Sequence, residues 1–451
     1  MTTTTTAPTT PDTRTPAFTL SRRRFLVGAG ALTAGMAVPA LRPRFAFAAP
    51  GQPTGGNVLV CVFLRGGADG LSLVVPYADD AYYAHRAMGR ADISVPRPDP
   101  ARPTTTAIPL LGGAGLTGFG LHPALGGADG HGGLAGVWEA GDLAVVHAVG
   151  MPAAESASRS HFEAQANWER GTADVAVASG WIGRHLLATG ATDGIAGVGH
   201  GTNLPASLWG DPKAVSMSSI ATFGVTGYRD NSGVARILGD IYATGTSDPL
   251  LDQGATTMRA VDLLASKHPL QFDQFADLYD GVTAPFVPVA RGLREAAALI
   301  RADVGLRVAC IDSLDWDMHD AMGTIATGRM RTHAAGLGDS LAAFHRDLGP
   351  LMGRVTVLVM SEFGRGIAVN ATGGTDHGRG GVMFVMGGNA NKGIWGDYPD
   401  GPLREGPEGD LVVANDGRSI IAEILTKRLG TPSITQVFPG YTHTADLGVV
   451  S

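Results

Sequence analysis

Acidic residues and histidines stand beside apolar, strand-like runs at four places in this 451-residue chain. Asp69 follows VLVCVFL, Asp317 and His319 follow LRVACI, Glu362 follows VTVLVM, and Asp376 with His377 stands just before VMFVMGG. Carboxylate oxygens and imidazole nitrogens together are the ligands that a divalent metal site needs. In an open parallel sheet, ligands bind beyond the carboxyl ends of the strands, where such side chains meet. The pattern therefore predicts a metal-assisted site at one edge of a sheet.

The apolar pattern predicts the elements that would position these side chains. Strand-like runs occur near 57–63, 143–149, 306–311, 355–360 and 382–387, and helix-like stretches lie between them. This alternation predicts an α/β fold with a largely parallel sheet that is covered on both faces. We expect one domain over 49–451, in which about 190–302, poor in strand signals, forms a helical insertion.

The first 48 residues have the layout of an export signal. Paired arginines occur in SRRRFL (21–26), a short Gly- and Ala-rich apolar run follows, and Ala46-Phe47-Ala48 offers a small-x-small cleavage site. The pattern predicts a twin-arginine signal peptide with a disordered Thr/Pro-rich start. The predicted location is periplasmic or extracellular, with the twin-arginine translocase as the partner during export. Because the apolar run is short and glycine-rich, no stable membrane span is expected.

Charge argues against two classes of partner. Residues 1–48 contain six arginines and one aspartate, so the remaining chain has 28 basic and 40 acidic residues and a net charge of −12. Proteins that bind nucleic acids usually show the opposite balance. No basic run occurs outside the signal, so neither nucleic acid nor an anionic membrane surface is expected as a partner.

The two cysteines, Cys61 and Cys310, lie inside strand-like runs. One interpretation is that both are small buried hydrophobic residues. The other is a disulfide between neighbouring strands, which an oxidising compartment would allow.

A series of motifs resembles one bacterial family. They are the twin-arginine start, FLRGGADGLSLVVP, GDLAVVHAVGMP, SRSHFEAQANWERG, GWIGRHL, DWDMHD, SEFGR and GGTDHGRGG, in that order. Across the mature chain they resemble the exported family called domain of unknown function 1501, which is grouped with the alkaline phosphatase and sulfatase superfamily. The resemblance implies an alkaline phosphatase-like fold, with a mostly parallel central sheet flanked by helices and a metal centre at the strand ends. It implies no particular substrate.

The resemblance also implies roles for the first acidic motifs. Asp69 matches the position at which superfamily enzymes place a metal-binding aspartate. Asp317 and His319 resemble a later Asp and His pair, although the superfamily often spaces these residues four apart. Asp315 with His319 would restore that spacing, so either aspartate is a candidate ligand.

The later motifs complete the predicted ligand set. Glu362 stands where the superfamily often has an Asp-His pair, and His377, with Asp376 beside it, resembles the last metal histidine. If all these residues bind, the site is richer in oxygen than a three-histidine zinc centre. That balance favours magnesium, manganese, calcium or mixed occupancy over zinc alone.

The nucleophile and its helpers are open between functional and structural roles. Ser160 precedes a helix-like run, where a superfamily nucleophile would face free amides, but it could instead form a capping box with Glu163. His161 is a candidate general base or a packing residue. Arg65 could clamp a phosphate or sulfate oxygen, or form an ion pair with Asp69 or Glu362.

These observations favour an exported, metal-dependent hydrolase of phosphate or sulfate esters, acting on a small molecule or an envelope polymer. Neither cysteine lies in a Cys-x-Pro-x-Arg sequence, which disfavours a formylglycine sulfatase. The alternative is a non-catalytic binding or structural envelope protein that keeps the fold.

Overall fold

A computed structural model describes residues 56–451, apart from 89–90, 129, 131, 192–193, 212, 244–247, 268–274, 399–404 and 407. The signal peptide predicted over 1–48 lies outside the described residues. In the described part no helix is both long and apolar enough to cross a membrane.

The strands range from two to eight residues. They are β1 (Val58–Leu64), β2 (Val74–Val75), β3 (Ala87–Met88), β4 (Ala91–Asp92), β5 (Ile108–Pro109), β6 (Ala114–Gly115), β7 (Gly120–Leu121), β8 (Leu143–Gly150), β9 (Gly197–His200), β10 (Ala214–Met217), β11 (Val308–Ser313), β12 (Val355–Ser361), β13 (Gly381–Met386), β14 (Gly393–Trp395) and β15 (Asn415–Asp416).

Eleven α-helices occur in the described residues. They are α1 (Gly70–Leu73), α2 (Asp80–Arg86), α3 (Gly133–Ala140), α4 (His161–Arg170), α5 (Trp181–Ala188), α6 (Asn231–Tyr242), α7 (Pro249–Ser266), α8 (Val287–Ala302), α9 (Arg329–Leu348), α10 (Gly417–Lys427) and α11 (Ile434–Val437).

The main sheet has ten strands and is mixed. Its order is β10-β9-β11-β1-β12-β13-β8-β14-β6, and β15 also pairs with β8. The pairs from β10 through β12 are parallel, but β13 is antiparallel to both β12 and β8. The α/β class is therefore confirmed, whereas the prediction of a mostly parallel sheet is corrected. The physical reason is the connection between β12 and β13, which contains no crossover helix and returns the chain at the same sheet edge.

Apolar layers cover both faces of this sheet. In β1, Val60 and Val62 pack into one core with α3, α8 and α9, whereas Leu59, Cys61 and Phe63 pack into another with α4, α5 and α10. Successive side chains of a strand point to opposite faces, which explains why the central strands are apolar without interruption. Cys61 and Cys310 are register partners on β1 and β11, and both are buried free thiols.

The helical insertion expected over about 190–302 is narrower in the structure. Residues 197–200 and 214–217 form β9 and β10, which extend the main sheet at one edge. The helical part is α6, α7 and α8, beginning at Asn231. Both strands have only four residues and contain glycine, serine or histidine, which weakened their strand signal in the sequence.

Candidate metal centre

Helix α4 presents His161, Gln165 and Trp168 on one face. Residues spaced by four and seven positions lie on the same side of a helix. All three side chains reach Glu362, which follows β12. His161 Nδ1 lies 2.7 Å and Gln165 Nε2 lies 2.8 Å from Glu362 Oε1, and Trp168 Nε1 donates to the Glu362 carbonyl at 2.8 Å. This face fixes the start of α4, and with it His161, against the end of β12.

The loop after β11 presents Asp317 and His319 in the same direction. Trp316 and Met318 are 1% exposed and belong to the core, whereas the alternate residues Asp317 and His319 point outward. Such alternation is the geometry of an extended segment. It places Asp317 and His319, two residues apart, on the same side of the loop.

The same loop shows which aspartate faces the histidines. Asp315 has a positive φ of 70° and its carboxylate pairs with Arg329 at 2.8 Å. Asp317 Oδ1 instead lies 3.1 Å from His319 Nε2 and 3.5 Å from His377 Nε2. Asp317, rather than Asp315, is therefore the carboxylate that joins the histidines.

Three imidazoles converge on one point. His377 Nε2 lies 2.9 Å from His161 Nε2 and 2.8 Å from His319 Nε2, and Asp317 Oδ2 lies 3.4 Å from His161 Nε2. One ligand atom from each of His161, Asp317 and His377 lies within 4.8 Å of the other two. His319 contacts two members of this group, so it is available as a fourth donor. We call His161, Asp317, His319 and His377 together the metal cluster.

The partners of the Nδ1 atoms indicate which nitrogen of each of the three rings carries the hydrogen. His161 Nδ1 faces the Glu362 carboxylate, His319 Nδ1 lies 3.1 Å from Asp376 Oδ1, and His377 Nδ1 lies 2.8 Å from the Arg159 carbonyl. These oxygens only accept hydrogen bonds, so each Nδ1 carries the hydrogen. In a neutral imidazole the Nε2 atom then carries a lone pair.

The lone pair of His377 Nε2 therefore faces two others at less than 3 Å. Lone pairs this close repel one another unless a positive charge lies between the rings. Two added protons would be needed to bridge both contacts, whereas a single divalent ion satisfies all the lone pairs. Histidine ligands of metals usually donate their other ring hydrogen to a carboxylate or carbonyl, as all three do here. The arrangement therefore fits a divalent ion.

Arg365 holds the loops around the cluster together. It is 2% exposed and donates to the carbonyls of Gly66, Gly67 and Thr375 and to Asp317 Oδ1. Gly66 has a φ of 120°, and a Cβ atom there would lie 2.5 Å from the Asp317 nitrogen. The first glycine in RGG, Gly66, is therefore required by the close approach of the Asp317 loop.

The electrostatics keep both acids of this region ionised. Burial alone would raise the pKa of Asp317, but the hydrogen bond and charge of Arg365 hold it below its usual value. Burial also opposes ionisation of Glu362, yet hydrogen bonds from His161, Gln165 and Gly66 lower its pKa. The hydrogen bond to Glu362 in turn raises the pKa of His161.

Asp69 does not join the cluster, which corrects its prediction as a metal ligand. Its Oδ1 accepts from the Ser72 amide at 2.9 Å and caps α1, and its Oδ2 lies 2.7 Å from Arg86 and 3.1 Å from Thr375 Oγ1. Because both oxygens are engaged, Asp69 supports the segment before His377 instead. Burial would raise its pKa, but Arg86 and these hydrogen bonds lower it.

The structure gives Glu362 and Asp376 supporting positions as well. Neither oxygen pair is placed among the converging Nε2 atoms; each carboxylate faces the Nδ1 side of a ring. Glu362 has a fully buried side chain, whereas that of Asp376 is 72% exposed. The donors that converge are therefore richer in nitrogen than the sequence suggested.

The predicted catalytic residues have different surroundings. Arg65 lies 2.7 Å from Glu169 and 3.0 Å from Asp312, so neither Asp69 nor Glu362 is its partner. Ser160 directly precedes α4 and is exposed, but its side chain makes no capping hydrogen bond. Ser158 bonds Glu163 instead, at 2.8 Å, which corrects the predicted capping box.

Some supporting residues were not recognised in the sequence. Gln165 donates to Glu362, the carboxylate that His161 Nδ1 faces, and the Arg159 carbonyl orients His377. His161, predicted as a general base or a packing residue, lies among the converging imidazoles. The spacing of His161, Gln165 and Trp168 was the available signal, since it places three hydrogen-bond donors on one helix face. A backbone carbonyl such as that of Arg159 leaves no signal in sequence.

Comparison with known proteins gives one match. Residues 280–403, about a quarter of the chain, match the model of a family described as a protein of unknown function, DUF1501. The matched segment includes Asp317, His319, Glu362 and His377, and it supports the family resemblance seen in the motifs. No curated protein and no solved structure matches the chain.

Proposed function

We propose that this protein is an exported, metal-dependent hydrolase of phosphate or sulfate esters. The observation that carries the proposal is the convergence of three imidazole lone pairs and one carboxylate on a single point. The resemblance to the alkaline phosphatase and sulfatase superfamily supplies the reaction class, and the arginine-rich motif at 21–26 supplies the export route through the twin-arginine translocase.

The donors indicate which ion the site would hold. His161, His377 and Asp317 would hold the ion, with His319 as the fourth donor. Ligands at about 2.1 Å around a tetrahedral zinc ion lie about 3.4 Å from each other. The corresponding distances here are 2.8 to 3.5 Å, and the two contacts between imidazoles, at 2.8 and 2.9 Å, are shorter than the tetrahedral value, so the rings would move apart around a bound ion. Imidazole-rich sets suit zinc and related transition metals better than magnesium or calcium, so zinc becomes the first candidate.

A bound divalent ion supplies Lewis-acid charge to the oxygens of the ester. The chain's own residues would orient the ligand atoms around that ion. Glu362, Asp376 and the Arg159 carbonyl keep the Nδ1 hydrogens in place, so the Nε2 atoms stay available. Arg365 keeps Asp317 ionised.

Ser160 is the candidate nucleophile. Its hydroxyl is exposed and adjoins His161, and it stands at the start of a ten-residue helix, where free amides favour a developing negative charge. In a first step, the Ser160 hydroxyl would lose its proton and its oxygen would bond to phosphorus or sulfur, while the bond to the ester oxygen breaks and the leaving alcohol takes up a proton. In a second step, water would attack the phosphorus or sulfur, the bond to Ser160 would break, and the Ser160 oxygen would regain its proton. A water attacking directly is the alternative within the same reaction.

A binding protein without catalysis is the second candidate. It is favoured by Arg65, because the arginine that was expected to steady the transferred group is already paired with Glu169 and Asp312. Under this alternative the ion would be structural or would hold a ligand.

The first test is the metal content of the mature protein, by elemental mass spectrometry after purification without chelator and after zinc reloading. We expect at least one divalent ion per chain, lost in His377→Ala and retained in His443→Ala, whose imidazole pairs with Asp446 away from the cluster. The loaded protein is then assayed with p-nitrophenyl phosphate, its diester and p-nitrophenyl sulfate. A wild-type protein that stays metal-free after reloading would refute the proposed centre. A loaded protein without esterase activity would favour the binding alternative.

A further inference from the structure

One segment outside the metal cluster closes a ring of contacts around His377. We infer that Asp410 is a positioning residue that orients His377 through Arg159, and this inference rests on the metal-dependent function proposed above. The ring has four links, and each joins a different pair of residues.

Two of the links are made by the backbone. Arg365 pairs with His377 in an antiparallel bridge, and Gly366 pairs in the same way with Asp410. The segment around Asp410 also receives a hydrogen bond from Ile367 to the Gly409 carbonyl at 2.9 Å. Because Arg365 and Gly366 are adjacent, the backbone of His377 and that of Asp410 are held at a fixed separation.

The other two links pass through Arg159. Its guanidinium Nη2 lies 2.9 Å from Asp410 Oδ2, and its carbonyl accepts the hydrogen of His377 Nδ1 at 2.8 Å. The Asp410 side chain is 3% exposed, so this pair is shielded from water. The contact is an ion pair that lacks the directed geometry of a hydrogen bond, so it acts mainly by charge.

The ring has a consequence for two ligands at once. Arg159 lies two residues before His161, and its carbonyl is the group that orients His377. If the Asp410 charge is removed, the segment 158–160 loses the ion pair that holds it in place. Both the direction of the His377 ring and the start of α4 then become less well defined. Groups that bond a ligand directly typically change metal affinity by about 10- to 100-fold, and Asp410 acts one contact further out, so its removal should cost up to about 10-fold.

A second acid contacts Arg159 and provides an internal comparison. Glu408 also pairs with the guanidinium, but its side chain is 64% exposed. Exposed ion pairs contribute little because water and salt screen them. Asp410 should therefore account for most of the effect, and Glu408→Gln should change metal affinity only slightly.

The test measures the affinity of the full mature protein for Zn²⁺ by competition with a chromophoric chelator, and for Co²⁺ by its visible absorption. We expect Asp410→Asn to bind Zn²⁺ several-fold, up to about 10-fold, more weakly than wild type. Arg159→Gln, which removes the guanidinium and keeps the carbonyl, should weaken binding in the same direction. Should Asp410→Asn fail to fold, Arg159→Gln carries the test, because its side chain is partly exposed.

The matched control is Asp347→Asn. It breaks a buried pair with Arg301 at the C-terminal ends of α8 and α9, at the opposite end of α9 from Arg329, which contacts the Asp317 loop. We expect it to lower thermal stability and leave the Zn²⁺ affinity unchanged.

The outcomes separate the two proposals. A wild-type protein that binds neither ion refutes the metal-dependent function. If Asp410→Asn and Arg159→Gln bind Zn²⁺ as tightly as wild type, the positioning role is refuted and the metal-dependent function is not.

Discussion

Replacing Glu362 by glutamine should weaken metal binding as well as the fold. Glu362 Oε1 receives hydrogen bonds from His161 Nδ1, Gln165 Nε2 and the Gly66 amide at 2.7 to 2.8 Å, and Oε2 lies 3.0 Å from Ser361 Oγ. Glutamine has nearly the same shape but carries no charge, and its amide nitrogen cannot accept a hydrogen bond.

The size of the effect follows from these contacts. A glutamine can turn its one oxygen towards the three donors at Oε1, but its NH₂ group then faces Ser361 Oγ. That hydroxyl already donates to the Leu64 carbonyl and accepts from the Ala68 amide. Hydrogen bonds to a charged group are worth about 1.5–3 kcal/mol, against about 1 kcal/mol for neutral ones. Loss of charge behind His161 should reduce metal affinity about 10- to 100-fold, or about 1.4 to 2.7 kcal/mol.

The matched control is Glu423→Gln. Glu423 also has a fully buried carboxylate, which accepts from the amides of Leu447, Gly448 and Val450 and pairs with Lys427. In metal-free samples, both variants should lose comparable amounts of thermal stability, measured by circular dichroism. Only Glu362→Gln should lose Zn²⁺ affinity in a chelator competition assay. Equal affinity in Glu362→Gln and wild type, or equal loss in the control, would refute the reasoning.

The remaining predictions concern single positions. Asp317→Ala should abolish metal binding, measured by elemental analysis, whereas Asp315→Ala should retain the ion because its carboxylate faces Arg329; the reverse result would exchange their roles. Ser160→Ala should retain the ion and lose ester turnover, and unchanged turnover would assign the attack to water. Asp69→Asn should cost about 3–5 kcal/mol of unfolding free energy near neutral pH, because it leaves Arg86 buried without its charged partner. Because the pKa of Asp69 is lowered in the folded protein, this stabilisation is full above its unfolded pKa of about 3.9 and is lost as pH falls through the folded value. Urea titrations of both proteins at several pH values check this, and a difference that grows in acid would contradict it.

The long central strands could be predicted from the sequence because burial on both sheet faces leaves an unbroken apolar run. The observed β1, β8, β11, β12 and β13 begin and end within two residues or so of the predicted runs. The direction of β13 was missed. Residues 362–380 contain many glycines and no helical period, so a return at the same sheet edge could have been inferred from the absence of a crossover helix.

The site was predicted less completely because its geometry depends on loop backbone. The choice between Asp315 and Asp317 depends on the positive φ of Asp315, which residue type alone does not dictate. Asp69 was assigned from its place after β1, yet its charge is used by Arg86, seventeen residues later. In the sequence, His161 lies more than 150 residues from His319 and His377, and only the folded contacts bring it to His377.

The segment between β12 and β13 explains how these distant residues form one centre. Within it, Glu362 orients His161 of α4, while Asp376 and Arg365 fix His319 and Asp317 of the loop after β11. The α4 side holds this segment in return, because the Arg159 carbonyl orients His377. Each imidazole is therefore positioned by a group from a different loop or helix than its own. An ion that binds all of them must stabilise the docking of the segments, so metal binding and the local folding of this edge are a single coupled equilibrium.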